Sequence, residues 1–372
     1  MRKTNAKLLF GTGLVISLAL SACAQKLTLK EAFKGNFYVG TALNKEQILG
    51  MDSAATTLLK EQFNSVTAEN CMKWEKIHPE PGKYNFALAD SFVDLGDRYH
   101  MFTIGHCLVW HAQTPQWVFE DSMGNPLDRE TLLKRMHDHI FTVMSRYKGR
   151  VKGYDVVNEA LNEDGTMRKS KWLEIIGEDY VQKAFEFARE ADPNAELYYN
   201  DYNIEQPAKR DGAIKLIKNL QSAGIKITAV GIQGHYHLDS PKLKDIDESI
   251  AAFSKLGIKV MFTELDINVL PRPDNLSGAD VSQKFEMKKN FNPYPESLPD
   301  SIQQKLANRY ADFFKIFLKY PSISRITFWG IDDGQSWLNN WPINGRTNYP
   351  LIFDRKYRPK AAFYSIIKTV RK

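Results

Sequence analysis

The feature that most narrows what this chain can fold into is a repeated alternation of short apolar, β-rich runs with helical stripes. The runs are 37–43, 65–70, 101–110, 153–159, 195–203, 229–238, 260–267 and 325–332. Between them the apolar spacing changes from continuous to three-and-four. Asp128 stands as a cap ahead of Leu132, Met136, Ile140 and Val143, and Leu306, Tyr310, Phe313 and Phe317 repeat the stripe before the last run. Segment 360–371 supplies a final helix. Eight strands, each followed by a helix, predict an α/β fold: a closed parallel (β/α)8 TIM barrel built as a single domain over 26–372. A doubly wound open sheet is the alternative, but no glycine-rich phosphate turn follows the first run and the units do not divide into halves. No internal repeat, linker or appended module interrupts the pattern.

A closed parallel barrel makes a second prediction. Its strands are buried on both faces and should read as unbroken apolar runs, while chemistry gathers where the strands end. In this chain the runs end in polar side chains: Glu69 and Asn70, His106, Asn158 and Glu159, Asn200 and Asp201, Gln233 and His235, Glu264 and Asp266. Carboxylates, amides and imidazoles at such positions destabilise the fold unless they are paired or used. One would mean little; six runs ending this way predict a functional site. Segment 270–299, rich in Pro, Asn, Asp and Lys, follows the seventh run and should form part of the rim.

The first residues have a different purpose. Arg2, Lys3 and Lys7 precede an apolar stretch over 8–22, too short for a comfortable membrane span and closely followed by small residues, so 1–22 reads as a signal peptide. Leu20-Ser21-Ala22-Cys23 fits a bacterial lipobox with Cys23 as the lipidated residue, which would anchor the protein to the cell envelope by its N-terminus alone. Ala22-Cys23-Ala24 also fits ordinary cleavage, giving a periplasmic or secreted protein; both readings export it. Loss of Arg2, Lys3 and Lys7 lowers the formal net charge from +6 to +3, and no basic stretch is interleaved with aromatics, so nucleic acid is not an expected partner. The remaining thiols, Cys71 and Cys107, make no disulfide framework, although they leave one bond open. Seven tryptophans, several beside polar clusters in Gly-, Pro- and Asn-rich segments, suit a cleft whose ring faces stack on sugars.

Glycoside cleavage needs one carboxyl to protonate the departing oxygen and another to attack or to activate water. Val156-Val157-Asn158-Glu159 and Phe262-Thr263-Glu264 each deliver a glutamate from an apolar strand, the fourth and the seventh. A lone strand-end glutamate is more often a surface residue or a buried ion-pair partner; two, each inside a polar cluster, are not. His235-Tyr236-His237, with His106, also has the residue types of a metal site. A metal on Glu264 would tie up a carboxylate that such cleavage needs free, so neither metal nor cofactor is expected.

The motifs containing these glutamates resemble those of glycoside hydrolase family 10, the retaining endo-1,4-β-xylanases. Asp155-Val156-Val157-Asn158-Glu159-Ala160 is similar to that family's acid/base motif and Thr263-Glu264-Leu265-Asp266-Ile267 to its nucleophile motif. Further matches are Glu69 to Trp74, Gly105 to Pro115, Tyr199 to Asn203, Gly231 to His235, Phe328 to Gly330, and Trp337, in family order from about residue 30 onward. The resemblance implies Glu159 as acid/base and Glu264 as nucleophile, about 5–5.5 Å apart in a retaining pair. It further implies Asn158 on the sugar 2-hydroxyl, and a relay in which Asp266 orients His235 against Glu264. Glu69, Asn70, Lys73, His106, Gln113 and Gln233 become polar contacts to substrate. Trp110, Trp329 and Trp337 become aromatic walls, and Tyr202 a further cleft residue. Trp117, Trp172 and Trp341 are left as packing or rim. The expected substrates are xylan and xylo-oligosaccharides, and the expected state a monomer. The alternatives are a β-1,4-glucanase or dual-specificity enzyme on the same site, and a catalytically silent polysaccharide-binding protein.

Overall fold

The computed structural model describes residues 27–370. The expected signal peptide over 1–22 and Cys23, the expected lipid-anchor residue, therefore lie outside the described residues. Eight parallel strands form the barrel: β1 (Tyr38–Leu43), β2 (Ser65–Ala68), β3 (Phe102–Trp110), β4 (Gly153–Asn158), β5 (Glu196–Asp201), β6 (Ala229–Ile232), β7 (Lys259–Asn268) and β8 (Ile323–Phe328). Each pairs with the next, and β8 pairs back onto β1 through Tyr38–Arg325 and Thr41–Phe328, which closes the sheet and leaves no edge.

The helices follow from the stripes. Asp128 caps the helix Arg129–Arg146, accepting from the Thr131 N–H, and Leu132, Met136, Ile140 and Val143 all point into the core. Leu306, Tyr310, Phe313 and Phe317 do the same from Asp300–Phe317, and Lys360 precedes the last helix, Ala361–Lys368. This ring of helices encloses one large apolar layer against the outside of the barrel. A second, smaller cluster of Ile104, Tyr198, Ala229 and Met261 fills the barrel interior, and Arg325 caps it with its guanidinium 5.2 Å over the Tyr198 ring. The lower barrel is thus plugged by side chains, and polar residues are left to its C-terminal mouth.

Several strands stop short of the expected runs, the second at Ala68, the fifth at Asp201 and the eighth at Phe328, and two further departures bear on the site. The sixth run does not stay in one strand. After Ile232, Gly234 takes φ +84° and breaks the ladder, and His235–His237 then resumes as a separate short strand on β7 only. The fourth run ends one residue early, because Glu159 takes φ +57°. Register shifts between His106 and Val109, Asp155 and Val157, and Phe262 and Leu265 fall at or next to His106, Asn158 and Glu264. Such irregularities re-aim side chains next to functional sites.

On the outer face of the barrel, packing leaves no room for growth at Gly105, where an added Cβ would stand 2.3 Å from the Tyr154 ring. Gly105→Ala is therefore expected to destabilise the fold by about 1–3 kcal/mol, the usual cost of overpacking a tight core. Chemical denaturation would read the change, and wild-type stability would show that the ring moves freely aside.

Candidate active site

Glu159 sits in a conformation that non-glycine residues rarely adopt, so its backbone must be held from outside. Its N–H donates to the Asn200 carbonyl at 2.9 Å, and its own carbonyl accepts from Arg168 Nε at 3.1 Å. The side chain is only 4% exposed. Oε1 accepts from Gln233 Nε2 at 2.8 Å and from Asn158 Nδ2 at 3.3 Å, while Oε2 accepts from Trp110 Nε1 at 2.8 Å. Each donor comes from a different strand end, so the barrel mouth itself fixes the carboxyl.

Glu264, carried within β7, is buried to a similar degree. Oε1 accepts from Asn200 Nδ2 at 2.9 Å and Oε2 faces His235 Nε2 at 3.2 Å. The same Asn200 amide donates to Asn158 Oδ1 at 2.9 Å, and Asn200 Oδ1 accepts from the Thr263 hydroxyl at 2.6 Å. An unbroken path of hydrogen bonds therefore runs from Glu159 through Asn158 and Asn200 to Glu264.

The two carboxyls are pushed in opposite directions. Burial raises the Glu159 pKa, and the nearby charge of Glu264 raises it further against the hydrogen bonds from Gln233 and Trp110. Burial would raise Glu264 as well. The hydrogen bond from His235, the positive charges of His106 and His235 and the Asn200 amide outweigh that effect and hold Glu264 below the ordinary carboxylate range. His235 can carry charge there because burial, which would neutralise it, is overcome by Asp266 and then by Glu264, raising its pKa to about 10. Asp266 Oδ1 lies 3.0 Å from His235 Nδ1, and its Oδ2 accepts from Trp337 Nε1 at 2.8 Å. The environment thus favours a protonated Glu159 and an ionised Glu264, the division of labour that an acid and a nucleophile require.

The remaining residues fall around this pair. Glu69, Asn70, Lys73, His106, Trp110, Gln113, Asn158, Gln233, His235, Trp329 and Trp337 line one cavity with the two glutamates, about 130 Å³ in volume. Lys73 Nζ donates to Asn70 Oδ1 at 3.1 Å and Gln113 Oε1 at 2.9 Å and stands 5.0 Å over the Trp110 ring. His106 Nδ1 is 2.9 Å from Asp155 Oδ2. Past Glu69, Asn70 and Trp337 the cavity opens into a groove of about 510 Å³ that runs over the β1 and β8 loops. Among the described residues no three His, Cys, Asp or Glu side chains are arranged to hold a metal ion. Cys71 and Cys107 are buried and unbonded, and burial pushes both thiols above their ordinary pKa.

Two expected site residues stand outside the cavity wall. Asp266 is wholly buried behind His235. Tyr202, expected in the cleft, is instead a supporting residue: its hydroxyl accepts from Arg168 at 2.7 Å and its ring is covered by Lys209 Nζ at 3.6 Å. Sequence reasoning passed over Asn200 as a site residue although it had marked that strand end as polar. It also passed over Arg168 and Asp155, and over Ala279 and Val281, which reach the cavity from the 270–299 segment. Trp341, left as packing or rim, stacks at 4.5 Å on Trp337.

If Asp266 is what keeps His235 charged, Asp266→Asn should remove that charge near neutrality and let the Glu264 pKa rise. The acid limb of the pH dependence of kcat/KM should then move upward, and an unmoved limb would sink the relay. Because the folded-state pKa of His235 lies above its ordinary 6.5, the pairing stabilises the fold fully below 6.5 and fades as pH rises through about 10. The difference in melting temperature between wild type and variant should narrow over that window.

Comparison with known proteins agrees with this geometry. The family model described as glycosyl hydrolase family 10 matches residues 28–369. An endo-1,4-β-xylanase A of Xylanibacter ruminicola is 48% identical over 96% of this chain and 98% of its own length. A β-1,4-xylanase of Dictyoglomus thermophilum is 41% identical over 92% of this chain and 90% of its own. Among solved structures, a GH10 endoxylanase retrieved from a sugarcane soil metagenome superimposes with a TM-score of 0.88 at 42% identity, covering 93% of this chain and all of its own. With the family model matched over nearly the whole length and a relative 48% identical, the chain belongs to glycosyl hydrolase family 10.

Proposed function

We propose that this protein is an endo-1,4-β-xylanase, hydrolysing internal β-1,4-xylosidic bonds of xylan by a retaining double displacement. The observation that carries the reading is the placement of two buried carboxyls in one cavity, with surroundings that push the Glu159 pKa up and hold that of Glu264 down. In the first step Glu264 attacks the anomeric carbon while Glu159 gives its proton to the departing oxygen. In the second, Glu159 takes a proton from water, which attacks the same carbon and frees Glu264. Asn158, oriented by Asn200, is available to a sugar 2-hydroxyl, a contact that strengthens as positive charge develops on the ring. The groove that continues past Glu69, Asn70 and Trp337 suits a polymer that extends away from the cut on that side. Trp329, 7% exposed and edge-on to both His106 and His235, makes the wall that favours xylose, a sugar without the hydroxymethyl arm of glucose.

Purified protein should release reducing ends from xylan far faster than from carboxymethyl cellulose, and proton NMR of fresh product should show the β-anomer first. Comparable rates on both polymers would favour the glucanase reading. Early α-product would overturn retention, and silence on both would leave a binding protein.

We further propose that the chain is exported and held at the envelope through Cys23. Support comes from its leader and Leu20-Ser21-Ala22-Cys23, and among the described residues no helix is long and apolar enough to cross a membrane. Expressed in a bacterium fed labelled palmitate, the protein should take up label and sediment with membranes, and Cys23→Ala should do neither. An unlabelled, soluble wild type would reject the anchor.

A further inference from the structure

The segment after β7 reaches the catalytic cavity through Ala279 and Val281, and the residue between them points the other way. Asp280 Oδ2 lies 3.7 Å from Arg168 Nη1, with both side chains largely shielded at 17% and 24% exposure. Asp280 is itself fixed, since its Oδ1 accepts from the Ser282 N–H at 2.9 Å and hydroxyl at 2.7 Å. Arg168 has further partners: Nε donates to the Glu159 carbonyl at 3.1 Å, and Nη2 donates to the Tyr202 hydroxyl at 2.7 Å. Beside this contact the segment presses directly on Tyr202. Gly278, at φ +59°, comes so close that an added Cβ would stand 2.4 Å from the Tyr202 ring. The guanidinium, which also donates to the Leu161 carbonyl at 3.4 Å, therefore joins the backbone of a glutamate in a strained conformation, the ring system behind it, and the rim segment lining the cavity.

We infer that Arg168 and Asp280 act as a strap that sets the leaving-group side of the cleft. Arg168 is a positioning residue for the Glu159 backbone, and Asp280 ties the cavity wall formed by Ala279 and Val281 to that same backbone. The inference rests on Glu159 being the acid. An acid must stand beside the departing oxygen, so the wall strapped to Glu159 is the one that a departing sugar meets. The opposite side of the cavity, from Glu69 to Trp337, belongs to other loops and does not contain the strap. The wall and the proton donor accordingly move as one unit, and a sugar that seats against the wall is aligned with the proton it receives.

The test compares two substrates that differ only in what leaves. Xylotetraose loses a sugar, which needs both the wall and a well-aimed proton. A nitrophenyl xylobioside loses a good leaving group that needs neither. Asp280→Ala should lower kcat/KM on xylotetraose roughly tenfold, within the up to hundredfold loss that an ångström-scale misplacement produces, while its loss on the aryl substrate stays within about twofold. Arg168→Ala should show the same asymmetry more strongly and Arg168→Lys should recover part of it, since a lysine keeps the charge but cannot span all of these partners. Glu159→Ala, which removes the proton itself, supplies the reference pattern. Equal losses on both substrates would mean general damage to the fold and overturn the strap, as would no loss on xylotetraose. A wild type inactive on xylotetraose would instead reject the xylanase reading.

Discussion

Everything at the barrel mouth answers one electrostatic problem: two buried carboxyl groups share a cavity and must not share a protonation state. Burial by itself would raise the pKa of both. Left alone, the pair would hold at least one proton with no preference for which side kept it. The preference comes from what stands behind each group. Glu264 faces an imidazole held protonated by a wholly buried aspartate, and Glu159 faces an amide and an indole that carry no charge. Asn158 and Asn200 stand between them, and their amides bridge the two sides without adding charge.

A closed parallel barrel suits such an arrangement because it separates support from function. Apolar side chains plug its lower half and pack its outside, so the strand ends can hold groups that would otherwise cost stability. The donors to Glu159 come from β3, β4 and the end of β6, and those to Glu264 from β5 and from the short strand lying on β7. No local sequence rearrangement could assemble that set; side-by-side pairing of consecutive strands brings the five together. The register shifts beside His106, Asp155 and Glu264 are the local adjustments that let consecutive strand residues face the cavity.

Much of this was legible in the chain. Periodicity gave the barrel, because a strand buried on both faces and a helix buried on one leave different apolar spacings. The site was legible because a polar residue closing an apolar strand costs stability unless it is paired or takes part in chemistry. What stayed hidden has a common physical cause. Arg168 lies in a loop with no periodicity, and only folding brings its guanidinium against Glu159, Tyr202 and Asp280. Tyr202 reads as a cleft aromatic from its neighbours, yet one buried lysine and one arginine turn it into support. The break at Gly234 was invisible because glycine is tolerated in a strand; its positive φ belongs to the three-dimensional path that seats His235 on β7.

The same electrostatics explains how one residue can be an acid and then a base on the proposed pathway. Part of what lifts the Glu159 pKa is the charge on Glu264. When Glu264 bonds to the sugar that charge disappears, and the influences that lower Glu159 remain: the Gln233 and Trp110 hydrogen bonds, and the charge of Lys209. The Glu159 pKa must then fall, at the stage when it is required to stay ionised and accept a proton from water. Release of the sugar restores the charge on Glu264 and raises Glu159 again. The cycle needs no movement of either side chain. It does require that Glu264 be the group whose charge is lost, and the placement of His235 and Asp266 behind Glu264 rather than Glu159 decides that.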